Sequence, residues 1–311
     1  MNILVTGANG QLGQCLRDLI PQDKENTWFW TDVSEVEGLK CDYLDITDAE
    51  SVKKYFVGNA ISVCVNCAAY TNVDKAEEDQ ELAKKLNADA PKILAEACKI
   101  HGAKLIHIST DYVFNGLSFI PLTEDRATFP MSVYGKTKLE GEQNIINSGC
   151  KYLIFRTAWL YSEHGNNFVK TMLKLIEEKD EIKVVNDQIG SPTYAGSLAQ
   201  FILNLIMNVT PLQKEGIYHY TDEGVASWYD LAEMVRNERF NFNHGNLSVI
   251  DPISTKDFYG DKPHAPRPYY SVLNKKKIDE DFKEYHPVHW TVCLKICIKR
   301  IMYKRAAENG K

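Results

Sequence analysis

The sequence predicts an α/β fold, a doubly wound parallel sheet accompanied by a smaller α/β lobe, and three observations carry that prediction. The chain opens on a short apolar run that breaks at once into spaced glycines. Strand-like and helical runs then alternate as far as Arg156, and beyond it the alternation fades into aromatic and Pro-rich stretches such as Phe258–Tyr270. Alternation of this kind joins parallel strands through right-handed crossovers. Ligands of such sheets sit outside the carboxyl ends of the strands, so the informative residues should follow each strand.

The first element is Met1-Asn-Ile-Leu-Val-Thr-Gly-Ala-Asn-Gly-Gln-Leu-Gly13. Ile3–Val5 reads as a buried strand, and a helix over 10–20 should run through Leu16 and Leu19. Gly7 can turn at positive φ, Gly10 leaves room for a diphosphate against bare main chain, and Gly13 lets the helix sit close to the sheet. Asn9, Gln11 and Leu12 complete the loop. Free N–H groups and the helix dipole would then hold phosphate without a basic side chain. The spacing G-x-x-G-x-x-G is one residue longer than the G-x-G-x-x-G of many dehydrogenases. Context supports a Rossmann-type dinucleotide site: the next β-rich run, Thr27–Thr31, ends at Asp32, about 20 residues on, where an acidic side chain meets the adenosine ribose.

Further strands are expected at Ile61–Asn66, Lys104–Ser109 and Tyr152–Arg156, with helices over 47–57, 79–101 and 132–147. Asp45 and Ile46 follow a strand region and are placed to meet an adenine ring. In Asn66-Cys-Ala-Ala-Tyr-Thr71 the small Ala68 and Ala69, with Tyr70 beside them, permit close approach of the cofactor's ribose and diphosphate. Ser109-Thr-Asp-Tyr-Val-Phe-Asn115 follows the next strand. Amphipathic helices are expected over 163–178, 194–208, 227–239 and 289–305. The predicted division is residues 1–160 as a dinucleotide-binding domain with a return of 194–221, and residues 161–193 and 222–311 as a substrate-binding lobe.

Composition narrows the class. A chain of 311 residues with 44% hydrophobic residues can bury a sizeable core. The net charge of −6 and the lack of a long Lys/Arg run speak against a nucleic-acid binder. No apolar run approaches the roughly 20 residues of a membrane span, and the opening segment reads as a strand, not a signal. The expected location is therefore cytoplasmic. Eight scattered cysteines suit reduced thiols. Cys64 and Cys67 form a C-x-x-C, but three residues apart on a strand they face opposite ways. Cys293 and Cys297 with His286 and His289 could be imagined as a zinc site, though small core cysteines in a helix are the simpler reading. No metal is expected.

The chemistry is expected at Tyr134-Gly-Lys-Thr-Lys138. A Tyr and a Lys four apart share a helix face. A free phenol, with pKa about 10, is a poor acid at neutral pH. An ammonium at about 4 Å, with an effective dielectric near 20, contributes about 4 kcal/mol, enough for about 3 pKa units before desolvation offsets part of it. Tyr134 is thus expected as general acid, with its pKa lowered by Lys138, which would also donate to the nicotinamide ribose. Thr110 would hydrogen-bond the same substrate oxygen.

Thr6–Gly13, Ser109–Phe114 and Tyr134–Lys138 together resemble the extended short-chain dehydrogenase/reductases. Closer still, Asp74-Lys-Ala-Glu77, Val133–Leu139, Phe155-Arg-Thr-Ala-Trp-Leu-Tyr161, Gly165-Asn-Asn-Phe168, Asn186-Asp-Gln-Ile-Gly-Ser-Pro-Thr193 and the late Arg267-Pro268, Ser271, Leu273-Asn274 resemble the dTDP-4-dehydrorhamnose reductase family, over nearly the whole chain. The resemblance implies reduction of the C4 ketone of a dTDP-4-keto-6-deoxyhexose, with NADPH or NADH as cofactor and a dTDP-sugar as the partner molecule. It places Thr110, Asp111, Trp159, Asn166 and Arg267 at the sugar nucleotide, Arg267 on its diphosphate. Asp32 would repel a 2′-phosphate and so favours NADH, while the family is similar to enzymes that accept both. Some members pair subunits through a magnesium ion held partly by a Glu after the glycine loop. Cys15 stands there in this chain, so that metal and that dimer are not implied, and a homodimer is left open.

Two rivals share part of this pattern. An epimerase or dehydratase of nucleotide sugars would keep the loop and the Tyr/Lys pair, but a dehydratase has Asp-Glu after the threonine, whereas Thr110 is followed by Asp111-Tyr112. A non-catalytic dinucleotide-binding regulatory subunit would not need Thr110, Tyr134 and Lys138 together.

Overall fold

A computed structural model describes residues 1–208, 212–243, 248–283 and 285–309. Parts of the expected return (209–211) and of the expected second lobe (244–247, 284, 310–311) lie outside the described residues. At the centre is a seven-stranded parallel sheet of β1 (Asn2–Thr6), β2 (Thr27–Asp32), β3 (Asp42–Tyr43), β4 (Val63–Asn66), β5 (Lys104–Thr110), β6 (Lys151–Thr157) and, from further along the chain, β11 (Gly216–His219). Their spatial order is β11-β6-β5-β4-β1-β2-β3. The chain leaves β1 towards β2 on one side and resumes at β4 on the other, so the crevice of the fold opens where β1 meets β4.

Helices cover both faces of the sheet: α1 (Gln11–Leu19), α2 (Ala49–Asn59), α3 (Gln80–Lys84), α4 (Ala90–His101), α5 (Val133–Ser148) and α7 (Ala195–Met207), whereas α6 (Phe168–Glu178) packs in a separate cluster. Period-two alternation in the strands decides the sides. Ile3 and Val5 of β1 pack with Leu12 and Leu16 of α1 and with Leu198 and Ile202 of α7. Leu4, between them, packs on the opposite face with Phe56 of α2 and Leu94 of α4. The doubly wound fold class is therefore as the sequence predicts. β11, which the alternation did not resolve as a strand, pairs with β6, with Tyr218 opposite Phe155.

A second hydrophobic cluster joins α6 to α8 (Trp228–Asn243) and α11 (Trp290–Asn309) through Leu173, Ile176, Leu231, Val235, Leu294 and Ile298. Three short strand pairs border it: β7 (Leu160–Tyr161) with β10 (Thr193–Tyr194), β8 (Glu181–Val185) with β13 (Val249–Ile253), and β9 (Ile189–Gly190) with β12 (Ala226–Ser227). Two short helices, α9 (Thr255–Tyr259) and α10 (Lys276–Asp281), complete the described elements.

Two boundaries differ from expectation for local reasons. The helix predicted over 79–101 contains a π-helical stretch at Lys85–Asp89 between α3 and α4. It aims Asn87, whose side chain accepts from Tyr70 N–H at 2.9 Å and donates to the Tyr70 carbonyl at 3.0 Å. The helix predicted from 163 starts at Phe168, because Asn167 caps it by accepting from Lys170 N–H.

Candidate active site

The glycine loop is shaped as a cradle for main chain and ligand. Gly7 has φ +65, and a Cβ there would lie 2.5 Å from Ala68 N. Any side chain would push the loop off the β4 end. A Cβ on Gly13 would meet Ala8 Cα at 2.6 Å, so that glycine is what allows α1 to lie on the loop. Gly10 begins α1 with no side-chain cap, and a Cβ there would meet only Gly7 O, at 3.2 Å. The first turn thus presents backbone N–H groups over a surface cleared of side chains, which fits a dinucleotide diphosphate.

The side chains around the loop brace it. Asp32 Oδ2 accepts from Asn9 N–H at 3.0 Å and Oδ1 from Ser34 N–H and Oγ at 3.0 and 2.8 Å. Asn9 Nδ2 donates to Ser34 O at 2.6 Å. Gln11 Oε1 accepts from Ser162 Oγ at 3.1 Å and Asn167 Nδ2 at 2.9 Å, tying the start of α1 to the chain after β7. Leu12 is buried in the core below. Asp45 closes a turn with Thr47, and Ile46 is buried. Ala68 N–H is held by Asn66 Oδ1 at 3.1 Å, Ala69 is half-buried, and Tyr70 donates its hydroxyl to Asp79 at 3.0 Å.

Tyr134, Thr110, Asp111 and Lys138 meet where β5 ends against the first turns of α5. Ser132 caps that helix, its Oγ accepting from Gly135 N–H at 3.1 Å, and Tyr134 packs edge-on against Tyr112 at 5.4 Å. Thr110 Oγ1 donates to Asp111 Oδ1 at 3.0 Å and accepts from Tyr112 N–H at 3.2 Å. Burial pushes the Asp111 carboxyl up to about 6. The expected lowering of the Tyr134 pKa is corrected here: burial pushes the phenol up to about 12, with a Thr110 hydrogen bond offsetting only part. The reason is where Lys138 points. Its ammonium donates to the Ile108 carbonyl at 2.6 Å and lies 3.4 Å from His107 Nε2. Burial brings Lys138 itself down to about 8, against the pull of Glu142. Tyr134 therefore carries its proton at neutral pH, the state a general acid requires.

The glycine loop and the Tyr/Lys cluster are joined by a buried path. Lys138 faces His107, His107 Nδ1 lies 3.0 Å from Asn66 Nδ2, and Asn66 Oδ1 accepts from Thr6 Oγ1 at 2.7 Å and from Ala68 N–H. Behind it, Glu142 of α5 accepts from Arg156 Nε and Nη2 of β6 at 2.9 and 2.7 Å and from Ser109 Oγ of β5 at 2.5 Å.

On the opposite side of the crevice, Trp159 adopts a left-handed φ of +50, an outlier for a bulky residue, and lies flat on Trp228 at 3.7 Å. Asn166 is exposed, just before the Asn167 cap. Arg267 gives Nη1 and Nη2 to the two oxygens of Asp74 at 2.8 and 2.6 Å, with its guanidinium over Tyr259. Cys15 is buried. Nearby, Asp18, Glu163 and His164 bring ligand-type atoms within 4.8 Å of one another, but His164 is bonded to Asp18, and Glu163 to Tyr194 and Arg300. The eight cysteines are all free.

Sequence reasoning named the candidate side chains and missed those packed against or bonded to them: His107, Asn87, Glu142 and Trp228. A signal existed for two. His107 is a polar residue inside the apolar run Lys104–Ser109, and Glu142 continues the Tyr134/Lys138 spacing by one more turn.

A family model described as the RmlD substrate binding domain matches residues 1–303. A dTDP-4-dehydrorhamnose reductase of Aggregatibacter actinomycetemcomitans is 37% identical over 296 residues, 94% of this chain and 97% of that protein. The solved structure of such a reductase from Clostridium acetobutylicum superposes with a TM-score of 0.86 at 41% identity, covering 97% of this chain and all of that one. Another from Bacillus anthracis, in complex with NADP, gives 0.83 at 36% identity, covering 96% and 99%. With the match running nearly end to end, the chain belongs to the dTDP-4-dehydrorhamnose reductase family.

Proposed function

We propose that this chain reduces the C4 ketone of dTDP-4-dehydro-L-rhamnose to dTDP-L-rhamnose with NADPH or NADH. The observation that carries the reading is the convergence of a protonated phenol, a hydroxyl and a buried amine at the β5/α5 junction, linked through Asn66 to the glycine loop. The relatives' shared activity supplies the substrate class.

The bound reduced nicotinamide would supply the hydride. Tyr134 gives its proton to O4 as the carbonyl carbon accepts that hydride, since the alkoxide so formed is a stronger base than a phenolate. Thr110 donates to the same oxygen and orients it. Lys138 stabilises the phenolate left behind. Gly7, Asn9, Gly10, Gln11, Leu12 and Gly13 carry the diphosphate on main-chain donors and shape, while Asp32, Asp45, Ile46, Ala68, Ala69 and Tyr70 line the path of the adenosine. Asp111, Trp159 and Asn166 face the sugar. Arg267 meets the substrate diphosphate by exchanging, in whole or part, its Asp74 carboxylate for phosphate oxygens. The division into residues 1–160 with the return of 194–221, and 161–193 with 222–311, belongs to the same proposal, supported by the separate core around α6, α8 and α11. So does a cytoplasmic location, which the unpaired cysteines support. A homodimer of this chain would have to form without the magnesium bridge, since Cys15 stands where the bridging Glu would be. No described helix is long and apolar enough to cross a membrane.

The test is direct: purified protein with dTDP-4-dehydro-L-rhamnose should consume added NADPH or NADH in step with product. Turnover without added reductant would point to an epimerase instead. Cofactor choice follows from charge. Asp32 sets a carboxylate where a 2′-phosphate would lie, so Asp32→Ser should raise the NADPH-to-NADH ratio of kcat/KM by about tenfold, equal to about 1.4 kcal/mol. An unchanged ratio contradicts this role.

A further inference from the structure

The buried path between Asn66 and Lys138 has a direction, set by a donor that cannot be reversed. Ala68 N–H is a backbone donor, and it bonds the Asn66 side-chain atom that Thr6 Oγ1 also meets. That atom is therefore the amide oxygen, and the amide nitrogen is the one 3.0 Å from His107 Nδ1. A donor facing Nδ1 makes Nδ1 an acceptor, so the single proton of a neutral ring lies on Nε2. Nε2 is 3.4 Å from Lys138 Nζ. An N–H aimed at an ammonium opposes it, whereas the same N–H aimed at a neutral amine is a hydrogen bond. Thr6, Asn66 and His107 are at most 1% exposed, and Lys138 is 2% exposed, so water does not scramble this order.

We propose that His107, oriented as its Nε2–H tautomer by Asn66, is a positioning residue for Lys138: it holds the Lys138 side chain against the Ile108 carbonyl at the end of β5 and lowers the pH at which the ammonium gives up its proton. The proposal rests on the reading of Lys138 as the working amine of a reducing site. The other charged or titratable groups around Lys138 are Glu142 on its own helix, held by Arg156 of β6 and Ser109 of β5, with Asp111 after β5 and Tyr134 one turn back. Glu142 favours the ammonium and burial the amine, and an Nε2–H facing Nζ at 3.4 Å acts in the same sense as burial. Burial also keeps His107 well below its ordinary pKa, consistent with a ring that stays neutral.

Asn66→Asp reverses the path. A carboxylate can only accept, so His107 must turn Nδ1–H towards it and present either the Nε2 lone pair or a full imidazolium. In protein with 15N-labelled histidine, the His107 signals, assigned by their loss in His107→Gln, should be those of the neutral Nε2–H tautomer from about pH 6 to about pH 9. Asn66→Asp should abolish that pattern. The basic limb of the kcat–pH profile, where Lys138 loses its proton, should rise by about one unit or more if the Nδ1–H form holds Lys138 as ammonium. Wild-type His107 carrying Nδ1–H, or a basic limb that stays put once Asn66→Asp has given neutral Nδ1–H, overturns the proposal. The wild-type tautomer needs no change at Asn66, so a poorly folding Asn66→Asp leaves the test standing. Failure of the wild type to reduce the ketone would sink the functional reading while the tautomer remains readable.

Discussion

Tyr134→Phe is expected to lower turnover of dTDP-4-dehydro-L-rhamnose by about 10²–10⁴-fold, with affinity for the reduced cofactor changed by less than about twofold. The substitution removes one oxygen and leaves the ring in its edge-on contact with Tyr112. Because burial keeps the phenol protonated at about 12, what is lost is a proton available at the moment O4 becomes an alkoxide. Thr110 can still polarise the carbonyl, so residual activity above the uncatalysed rate should persist. Steady-state kinetics with cofactor titration by fluorescence measures both quantities. Full activity would remove Tyr134 from the chemistry.

The largest effect on stability is expected at Glu142. Glu142→Ala should lower the free energy of unfolding by about 3–5 kcal/mol, the scale for removing one partner of a buried ion pair. Arg156 and Glu142 are 2% and 1% exposed, and Arg156 gives two N–H groups to that carboxylate. Without it the guanidinium keeps the Phe114 face, 5.2 Å away, and a weaker pull from the Glu124 carboxylate. Ser109 Oγ loses its acceptor in the same step. Replacing both members by leucine should restore a substantial part of the loss, because an uncompensated charge costs more than an apolar fill. Chemical denaturation of the three proteins decides it. A single-variant loss below about 1 kcal/mol would show that the pair does not hold α5 to β5 and β6.

How far the sequence revealed this molecule depended on whether a residue's role is local. Gly7, Gly10 and Gly13 are readable because one strand, one turn and one helix suffice to demand them, and at Gly7 and Gly13 close backbone contacts bear that demand out. The parallel strands were readable from the alternation itself. β11 was not, since Gly216–His219 is four residues long and becomes a strand only because β6 offers a free edge. The π-helical stretch at Lys85–Asp89 answers to Tyr70, well back along the chain. The Tyr134 pKa was misjudged for a related reason. A four-residue spacing says that two side chains share a helix face, but only the position of the Ile108 carbonyl and of His107 says which way the ammonium turns.

Arg267 shows the same limit from the substrate side. Its sequence context marks a guanidinium suited to phosphate, yet its bidentate bond to Asp74, 193 residues away, is invisible until the chain is folded. Trp159 was named as a sugar contact, but its left-handed backbone and its stacking on Trp228 come from the tertiary fold.

The central claim is that hydride passes to C4 of a nucleotide-linked ketosugar in the site built by Thr110, Tyr134 and Lys138. A single turnover with reduced cofactor deuterated at the transferable position of nicotinamide C4 tests it most directly, with the deuterium located in the product by mass spectrometry and NMR. One deuterium at sugar C4, from the wild type and at a strongly reduced rate from Tyr134→Phe, is the predicted result. Product formed without deuterium, or deuterium at another carbon, would contradict it.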